Sequence, residues 1–387
     1  MRWLHNKSVK QAVHFDLLLG DVTLHVPGDF DDIKSAIDSL ASTYIPSNAT
    51  VTIQLAAGYY TPTATTVINH PQASQIHITG AEPQQMTITS GGVMTANSPP
   101  SYTLTVDVDN ASNINVGDVV NIYGVSPYEV NGCLDVIAKT GNTISLSVLC
   151  WQPGLGTGSL NLQGTTITKY PTQLVVPAGY ADGSVFRLEG VNGIGLLKNL
   201  AIKGRGRVGA GIHVVGSGFA RLENIDLLHF EAGINSLGGM LYYPSRVASC
   251  GCDYGLIATN NPSINFSGPC VFSGNARVGV RVFNGYLGSI DTHATFYACG
   301  NGDAGIDITS LCSISFSNNT VQIWRNNIGV NATARSVAVI TAGSIAGNTT
   351  FDVMATTGGF ISVGTNTSSG YPPKGTMSAD SSYANWT

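Results

Sequence analysis

Charged residues recur at regular intervals in the second half of this sequence. Glu231, Asp253, Arg277 and Asp303 are separated by 22, 24 and 26 residues, and each stands two positions before a glycine. Paired carboxylates suit glycoside hydrolysis, in which one acid protonates the leaving oxygen and the other acts as nucleophile or activates water. The two carboxyl groups lie about 5 to 5.5 Å apart in retaining enzymes and about 6.5 to 9.5 Å apart in inverting enzymes.

The spacing brings such pairs together if each repeat contributes one strand to a parallel sheet. Neighbouring strands lie about 4.8 Å apart. Glu231 and Asp253 would then be an adjacent pair, and Asp253 and Asp303 a pair two strands apart. Both catalytic separations are available in this arrangement. The candidate catalytic residues are therefore Glu231, Asp253, Asp303 and Asp307.

Two arginines lie among these acids and suit an acidic ligand. Arg277 and Arg281 carry guanidinium groups, which bind uronate or sulfate groups or neutralise a carboxylate during β-elimination. A simpler interpretation stays open, in which these charges form surface ion pairs that contribute little to stability. Arg277 would pair with Asp253 and Asp303. Arg281 would pair with Asp307.

Imidazole and aromatic side chains complete the candidate binding set. His213 or a tyrosine would serve as the base of an elimination. Tyr242 and Tyr243 follow a Gly-Gly pair and offer rings on which a sugar stacks, although core and loop positions also use such residues. Substrate binding is therefore assigned to His213, Arg277, Arg281, Tyr242 and Tyr243. Alternative acidic sites on other faces are Glu223, Asp226, and Asp291 beside His293.

A repeated four-residue pattern identifies the elements that position these residues. It consists of a glycine, an aliphatic residue, a variable residue and then usually a small or apolar residue. The glycines are Gly211, Gly233, Gly255, Gly279, Gly305 and Gly329. A repeat of this length indicates an architecture in which each unit is one turn of a stack.

Strand geometry assigns a face to each position of the pattern, because successive side chains point to opposite sides. The aliphatic residues are expected in the core: Ile212, Ile234, Leu256, Val280, Ile306 and Val330. The residues that follow them form an outward column: His213, Asn235, Ile257, Arg281, Asp307 and Asn331. Two positions before the glycines lies a second outward column: Gly209, Glu231, Asp253, Arg277, Asp303 and Asn327.

Further apolar pairs upstream of each glycine predict three short strands per turn, as in a parallel β-helix. Asn275, Asn301 and Asn326 are expected in the turns, because asparagine tolerates left-handed backbone.

The rest of the chain divides into four segments. Residues 1–20 show no clear period and are interpreted as an N-terminal attachment arm. Residues 21–100 start the β-helix and include a helix over 31–40, which would cap the open end of the solenoid. Residues 101–163 alternate as strands around the hairpin signal Gly141-Asn142 and predict a small inserted β-domain. Residues 164–387 form the parallel β-helix and its C-terminal end.

Composition narrows the classes of function. Only 11% of the residues are charged, the net charge is −5, and there is no basic run, so a nucleic-acid partner is not expected. The apolar run Leu17-Leu18-Leu19 is too short to span a membrane, and no membrane insertion is expected. Seven cysteines do not indicate a disulfide scaffold, and pairing of Cys133 with Cys150 stays open. We expect no metal and no cofactor.

Several segments resemble a known family. VPGDFDDIKSAIDSL, NATVTIQLAAGYY and VINHPQASQIHITG resemble the start of pectin-lyase-like right-handed parallel β-helices, especially those of phage tailspike and tail-fibre proteins. GGFISVGTNTSSGYPP is similar to the end of such helices in phage proteins. The expected fold is therefore all-β: a right-handed single-stranded parallel β-helix with an N-terminal cap helix and a small inserted β-domain. The resemblance implies a homotrimer located in the virion. No catalytic motif of a named lyase or hydrolase family accompanies it.

The expected function is that of a phage tail spike or fibre that binds bacterial cell-surface polysaccharide. Cleavage of that polysaccharide by a glycosidase or lyase reaction stays open. The N-terminal arm would bind other virion tail proteins. One alternative is a non-enzymatic structural or adhesion protein of the virion tail, whose solenoid is a rigid stalk. A secreted bacterial polysaccharide lyase is a second alternative, which the missing signal-peptide pattern disfavours.

Overall fold

The chain forms an all-β parallel solenoid of the right-handed type, with about 12 turns and very little helix. The structure is a computed structural model that describes residues 16–152, 155–181, 183–190, 193–216, 218–289, 295–316, 320–341, 343–364, 375–377 and 383–386. Most of the predicted N-terminal arm therefore lies outside the described residues.

Two parallel sheets form the walls of the solenoid. The 10-stranded sheet contains Thr66–Ile68, Ser184–Leu188, Ala210–Val215, Ala232–Leu237, Tyr254–Thr259, Val278–Phe283, Ala304–Thr309, Ile328–Ala332, Phe351–Ala355 and Gly375–Met377. The 18-stranded sheet contains Val22–Val26, Val51–Leu55, Gly58–Tyr60, Ile76–Thr79, Thr172–Val175, Ile194–Lys203, Phe219–Leu228, Met240–Cys250, Ser263–Phe266, Cys270–Val271, Tyr286–Ser289, Thr295–Tyr297, Ser313–Phe316, Thr320–Trp324, Val337–Ile340, Gly343–Ala346, Phe360–Val363 and Tyr383–Trp386.

The register of the 10-stranded sheet confirms the faces predicted from the glycine pattern. The predicted outward column is continuous, since each of its members pairs with the next, from His213 with Asn235 to Asp307 with Asn331. The six predicted core residues are each at most 1% exposed. Inside the solenoid, Phe266, Phe296 and Phe316 form one aromatic cluster, with ring centroids 5.5, 5.1 and 6.4 Å apart.

A ladder of buried asparagines runs along one corner of the solenoid. Oδ1 of Asn301 accepts from the backbone N–H and from Nδ2 of Asn275, at 3.0 and 3.1 Å. In the same way, Oδ1 of Asn326 accepts from the backbone N–H and Nδ2 of Asn301, and Oδ1 of Asn348 accepts from those of Asn326. The ladder ends on the carboxylate of Asp352, which accepts from Nδ2 of Asn348 at 2.8 Å.

The expectation that these asparagines have left-handed backbone is wrong. The left-handed residues are those just before them, for example Gly274 at φ 65° and Gly300 at φ 67°. The turn is made by the preceding residue, which leaves the asparagine side chain free to point inward. Asparagine is used here because its amide both donates and accepts between identical turns.

An α-helix spans Ile33–Ser39 and buries Ile33, Ala36 and Ile37. Its N-cap is Asp32, whose carboxylate accepts from the backbone N–H of Ser35 at 2.7 Å. Short 3₁₀ helices span Ala73–Gln75 and Tyr128–Val130. A two-stranded parallel sheet joins Asp16–Leu17 to Thr43–Tyr44.

An eight-stranded antiparallel sheet interrupts the solenoid sequence. Its strands are Gln84–Thr87, Gly92–Ala96, Ser101–Asp107, Val119–Ile122, Gly132–Thr140, Thr143–Leu149, Gly158–Leu160 and Thr166–Lys169. The sheet thus includes strands on both sides of the predicted segment 101–163. It has its own apolar cluster, in which Leu104, Ile122, Ile144 and Ile167 are fully buried.

Polar contacts fasten the antiparallel sheet to the 18-stranded sheet. Nε2 of His229 lies 2.7 Å from the carboxylate of Asp135, and the guanidinium of Arg325 lies 2.7 Å from the carboxylate of Glu129. The indole N–H of Trp151 donates to the carbonyl oxygen of Gly274 at 3.0 Å. The antiparallel sheet therefore covers part of the outer face of the solenoid.

Removing one rung of the asparagine ladder should destabilise the protein. In Asn301→Ala, the backbone N–H of Asn275 and the carbonyl oxygen of Phe272 lose buried partners, at a cost of about 2 to 4 kcal/mol. The matched control is Asn327→Ala, since Asn327 lies one residue beyond the ladder and its Oδ1 accepts from Thr350 at an exposed site; its cost should stay within about 0.5 kcal/mol. Denaturant unfolding followed by circular dichroism measures both values, and equal midpoints for the two variants would contradict the ladder's structural role.

Candidate functional site

A groove of about 620 Å³ lies on the outer face of the 10-stranded sheet. Arg187, His213 and Asn235 form its centre, Glu231 stands beside them, and Ile257 closes one end. The other lining residues are small or apolar, namely Thr65, Val67, Ala181, Gly183, Ser184, Val208, Gly209, Ala210 and Ala232. The groove therefore combines an apolar floor with a few convergent polar groups, which is typical of ligand sites.

The strands place the polar groups of the groove in one row. Arg187 pairs in register with His213, and His213 pairs with Asn235. Neighbouring strands are about 4.8 Å apart, so three consecutive turns present a guanidinium, an imidazole and an amide along a line of about 10 Å. Glu231 precedes the strand that carries Asn235 and accepts the backbone N–H of Tyr254 through its carbonyl oxygen at 2.8 Å.

The surroundings of His213 favour its neutral form. Burial lowers its pKa from 6.5, and the positive charge of Arg187 lowers it further, while Glu189 opposes this shift. Its Nε2 is covered from solvent and has no hydrogen-bond partner among the described residues. A half-buried, neutral imidazole that lines the groove can accept a proton or bond a ligand hydroxyl.

The groove contains one cation and one carboxylate with different surroundings. Nε of Arg187 lies 2.5 Å from the carboxylate of Glu189, and Arg187 is 44% exposed. Glu231 is exposed and forms no ion pair with any residue that the structure describes. Because Glu231 is the single carboxylate in the described lining, the groove does not provide the acid pair that glycoside hydrolysis uses.

The other candidate catalytic acids lie in ion pairs outside the groove. Asp303 lies 3.6 Å from the guanidinium of Arg277, and both side chains are more than half exposed. Asp307 is held by Nε and by the terminal nitrogen Nη2 of Arg281, each at 2.7 Å, and by Nδ2 of Asn331 at 2.9 Å. Both predicted ion pairs are therefore present, but only Arg277–Asp303 is a surface pair, because the Asp307 side chain is 7% exposed.

Asp253 has a partner that the sequence analysis did not identify. A terminal nitrogen of Arg207 lies 3.2 Å from its carboxylate, and the same guanidinium stacks over the ring of Trp151 at 4.7 Å. Trp151 lies between the strands Thr143–Leu149 and Gly158–Leu160 of the antiparallel sheet, so Asp253 belongs to a contact that fastens this sheet. The predicted pair of Asp253 with Arg277 is not among the ion pairs of the described residues.

The predicted substrate-binding arginines flank a tyrosine instead of facing the groove. Arg277 and Arg281 lie over the ring of Tyr254 at 5.2 and 5.3 Å, and Arg281 bonds the hydroxyl of Tyr254 at 3.2 Å. The arginine that lines the groove is Arg187, one turn before His213. The register could have revealed it, because Arg187 precedes Leu188 in an alternating strand.

Tyr242 and Tyr243 lie in the strand Met240–Cys250 of the 18-stranded sheet, whereas the groove lies on the 10-stranded sheet. Their side chains are outside the described part of the structure.

Of the alternative acidic sites, one is an ion pair, one is buried and one lies outside the described residues. Glu223 forms an ion pair with Lys198 at 2.8 Å. Asp226 is fully buried beneath the antiparallel sheet and accepts from Asn121 at 2.5 Å; burial raises its pKa well above 3.8, and no substrate reaches it. Asp291 and His293 lie outside the described residues.

Within the described ranges, no group of three or more His, Cys, Asp or Glu side chains is arranged to hold a metal ion. No helix in the same ranges is long and apolar enough to cross a membrane. Comparison of the chain with protein-family models and with curated proteins gave no match.

The electrostatics of the groove can be measured at His213. The pKa of His213 in the folded state lies below 6.5, so the imidazole should be neutral at pH 7. As the pH falls below 6.5, the unfolded chain binds a proton more readily than the folded chain, so His213 should then reduce the stability of the fold. Arg187→Gln should raise the pKa of His213, and Glu189→Gln should lower it. NMR titration of labelled histidine, assigned with His213→Gln, measures these shifts. A pKa above 6.5, or shifts of the same sign in both variants, would contradict the proposed environment.

Proposed function

We propose that this protein is a phage tail spike or tail-fibre protein that binds bacterial surface polysaccharide in the groove around His213. The observation that carries the proposal is the row of Arg187, His213 and Asn235 over an apolar floor, beside an exposed carboxylate. The phage setting rests on the resemblance of the first and last solenoid segments to tailspike proteins.

The chemistry of the row favours a chain of acidic sugars. The partly exposed guanidinium of Arg187 suits a uronate carboxylate. Asn235 lines the groove and is partly exposed, so its amide group can form hydrogen bonds with sugar hydroxyls. The apolar residues Val67, Val208 and Ile257 suit the less polar faces of the sugar rings.

If the protein cleaves its ligand, β-elimination fits the groove better than hydrolysis. Neutral His213 would take the proton next to the uronate carboxylate, whose charge Arg187 would balance. The bond from the neighbouring ring carbon to the glycosidic oxygen would break, a carbon–carbon double bond would form, and the imidazolium would return the proton to the leaving oxygen. A hydrolase would need a second carboxylate beside Glu231.

A non-enzymatic tail protein is the second candidate. It is favoured by the ion pairs that hold Asp253, Asp303 and Asp307, because acids that are neutralised in ion pairs suit a rigid stalk better than catalysis. In either case, the helix Ile33–Ser39 would cap the solenoid, the antiparallel sheet would be an inserted domain, the assembly would be a homotrimer, and residues 1–20 would bind other tail proteins.

Binding and cleavage of uronate-rich capsular polysaccharide test the proposal. Wild-type protein should bind such a polysaccharide in calorimetry, and Arg187→Gln should weaken binding about tenfold or more, since a charge-assisted hydrogen bond is worth about 1.5 to 3 kcal/mol. His213→Gln should keep binding but lose the ultraviolet absorbance of unsaturated uronate. Glu82→Gln, at an exposed acid outside the groove, is the matched control and should behave like wild type.

Each outcome separates the alternatives. Binding without product in the wild type identifies the non-enzymatic protein. Reducing ends without unsaturated uronate would show hydrolysis, and the assigned chemistry would be wrong. Equal binding by wild type and Arg187→Gln would exclude the groove as the polysaccharide site.

A further inference from the structure

Two cysteines face each other where the antiparallel sheet meets the solenoid. Cys133 lies in the strand Gly132–Thr140 of the antiparallel sheet, and Cys250 ends the strand Met240–Cys250 of the 18-stranded sheet. They are 1% and 6% exposed and belong to the same interfacial apolar cluster. In the sequence they are separated by more than a hundred residues, and only the docking of the two sheets brings them together.

The sulfur of Cys250 lies directly against the strand that carries Cys133. Cys133 and Cys250 line the same small cavity, so both side chains lie at this point of the interface. A Cβ added at Gly132 would lie only 2.5 Å from Sγ of Cys250, so the close approach depends on glycine at this position. The thiol of Cys133 also contacts the carbonyl oxygen of Leu227 at 3.2 Å, which holds its side chain at the interface.

The other cysteines have different surroundings. Cys252 lies in the solenoid core, and Cys150 lies in the apolar cluster of the antiparallel sheet. Cys299 shares the interfacial cluster but directs its thiol to the carbonyl oxygen of Gln322 at 3.4 Å. Cys133 therefore shares its cluster and its cavity with Cys250, whereas Cys150 belongs to a different cluster.

A small cavity beside the two thiols gives room for an oxidant. It has a volume of about 20 Å³ and is lined by Cys133, Cys250, His229 and Asp135 among others. This is enough for one water-sized molecule. A peroxide is close to that size, whereas a bulky disulfide reagent is not.

We propose that Cys133 and Cys250 are a redox modification site that covalently joins the antiparallel sheet to the solenoid. The oxidant is a peroxide. One thiolate attacks the O–O bond and becomes a sulfenic acid, with release of water; the second thiol then displaces the hydroxyl group as a second water, and the disulfide forms. Two thiols lose two electrons and two protons in all, and the peroxide is reduced to two waters. Outside a reducing cytosol, this bond would persist and hold the two sheets together.

Counting thiols in the full-length protein tests the inference. Under denaturing conditions the untreated protein should show seven free thiols, and protein treated with hydrogen peroxide should lose two of them. Non-reducing peptide mapping should then find a linked pair of peptides that contain Cys133 and Cys250. Cys133→Ser and Cys250→Ser should each lose no thiol pair, whereas the matched control Cys150→Ser should still lose two thiols.

A second measurement guards against variants that fold poorly. Limited proteolysis of peroxide-treated wild type should leave the antiparallel sheet attached to the solenoid under non-reducing conditions and release it after reduction. Seven remaining thiols in the treated wild type, a linked pair that lacks either cysteine, or an equal loss in Cys133→Ser would overturn the proposal.

Discussion

The hydrogen-bond register between successive turns is the constraint on which this structure depends. Side chains alternate between faces, so a slip of one residue would turn the aliphatic column outward and bury the charged column. Close approach at the glycines opposes such a slip. A Cβ at Gly233 would lie 1.8 Å from Oγ of Ser249, and a Cβ at Gly255 would lie 2.5 Å from the carbonyl oxygen of Gly279. The asparagine ladder adds a second constraint at the adjacent corner, because each amide fits only the amide one turn away.

The same register decides where charge stays available. Opposite charges on neighbouring turns lie close enough to pair, and Arg281 with Asp307 shows this outcome. Around His213, the neighbours in the column are the amide of Asn235 and the guanidinium of Arg187, and Arg187 is held by Glu189. The Nε2 atom of His213 and the carboxylate of Glu231 therefore have no side-chain partner among the described residues, on a surface where most other charges are paired. A scaffold that repeats one strand geometry thus produces a site through a local change in side chains.

The antiparallel sheet modifies the solenoid in a different way. It covers Asp226, which becomes fully buried, and its own residue Asp135 contacts His229 of the solenoid. It also draws Asp253 into a contact through Arg207 and Trp151. The outer face is therefore divided into a part committed to holding this sheet and a part that remains open, and the groove lies in the open part.

The sequence alone determined the solenoid, the inward and outward columns, and a helix within residues 31–40, where the structure has Ile33–Ser39. These features follow from periodicity, because a strand or helix turns each position toward a fixed side. It also identified His213 and Glu231, which the groove contains. It did not reveal that Arg187 is the arginine of the groove, or that Arg207 holds Asp253. Only the tertiary structure decided these partners and the meeting of Cys133 with Cys250, because a contact within a few ångströms depends on how distant segments dock, and local periodicity carries no record of that docking.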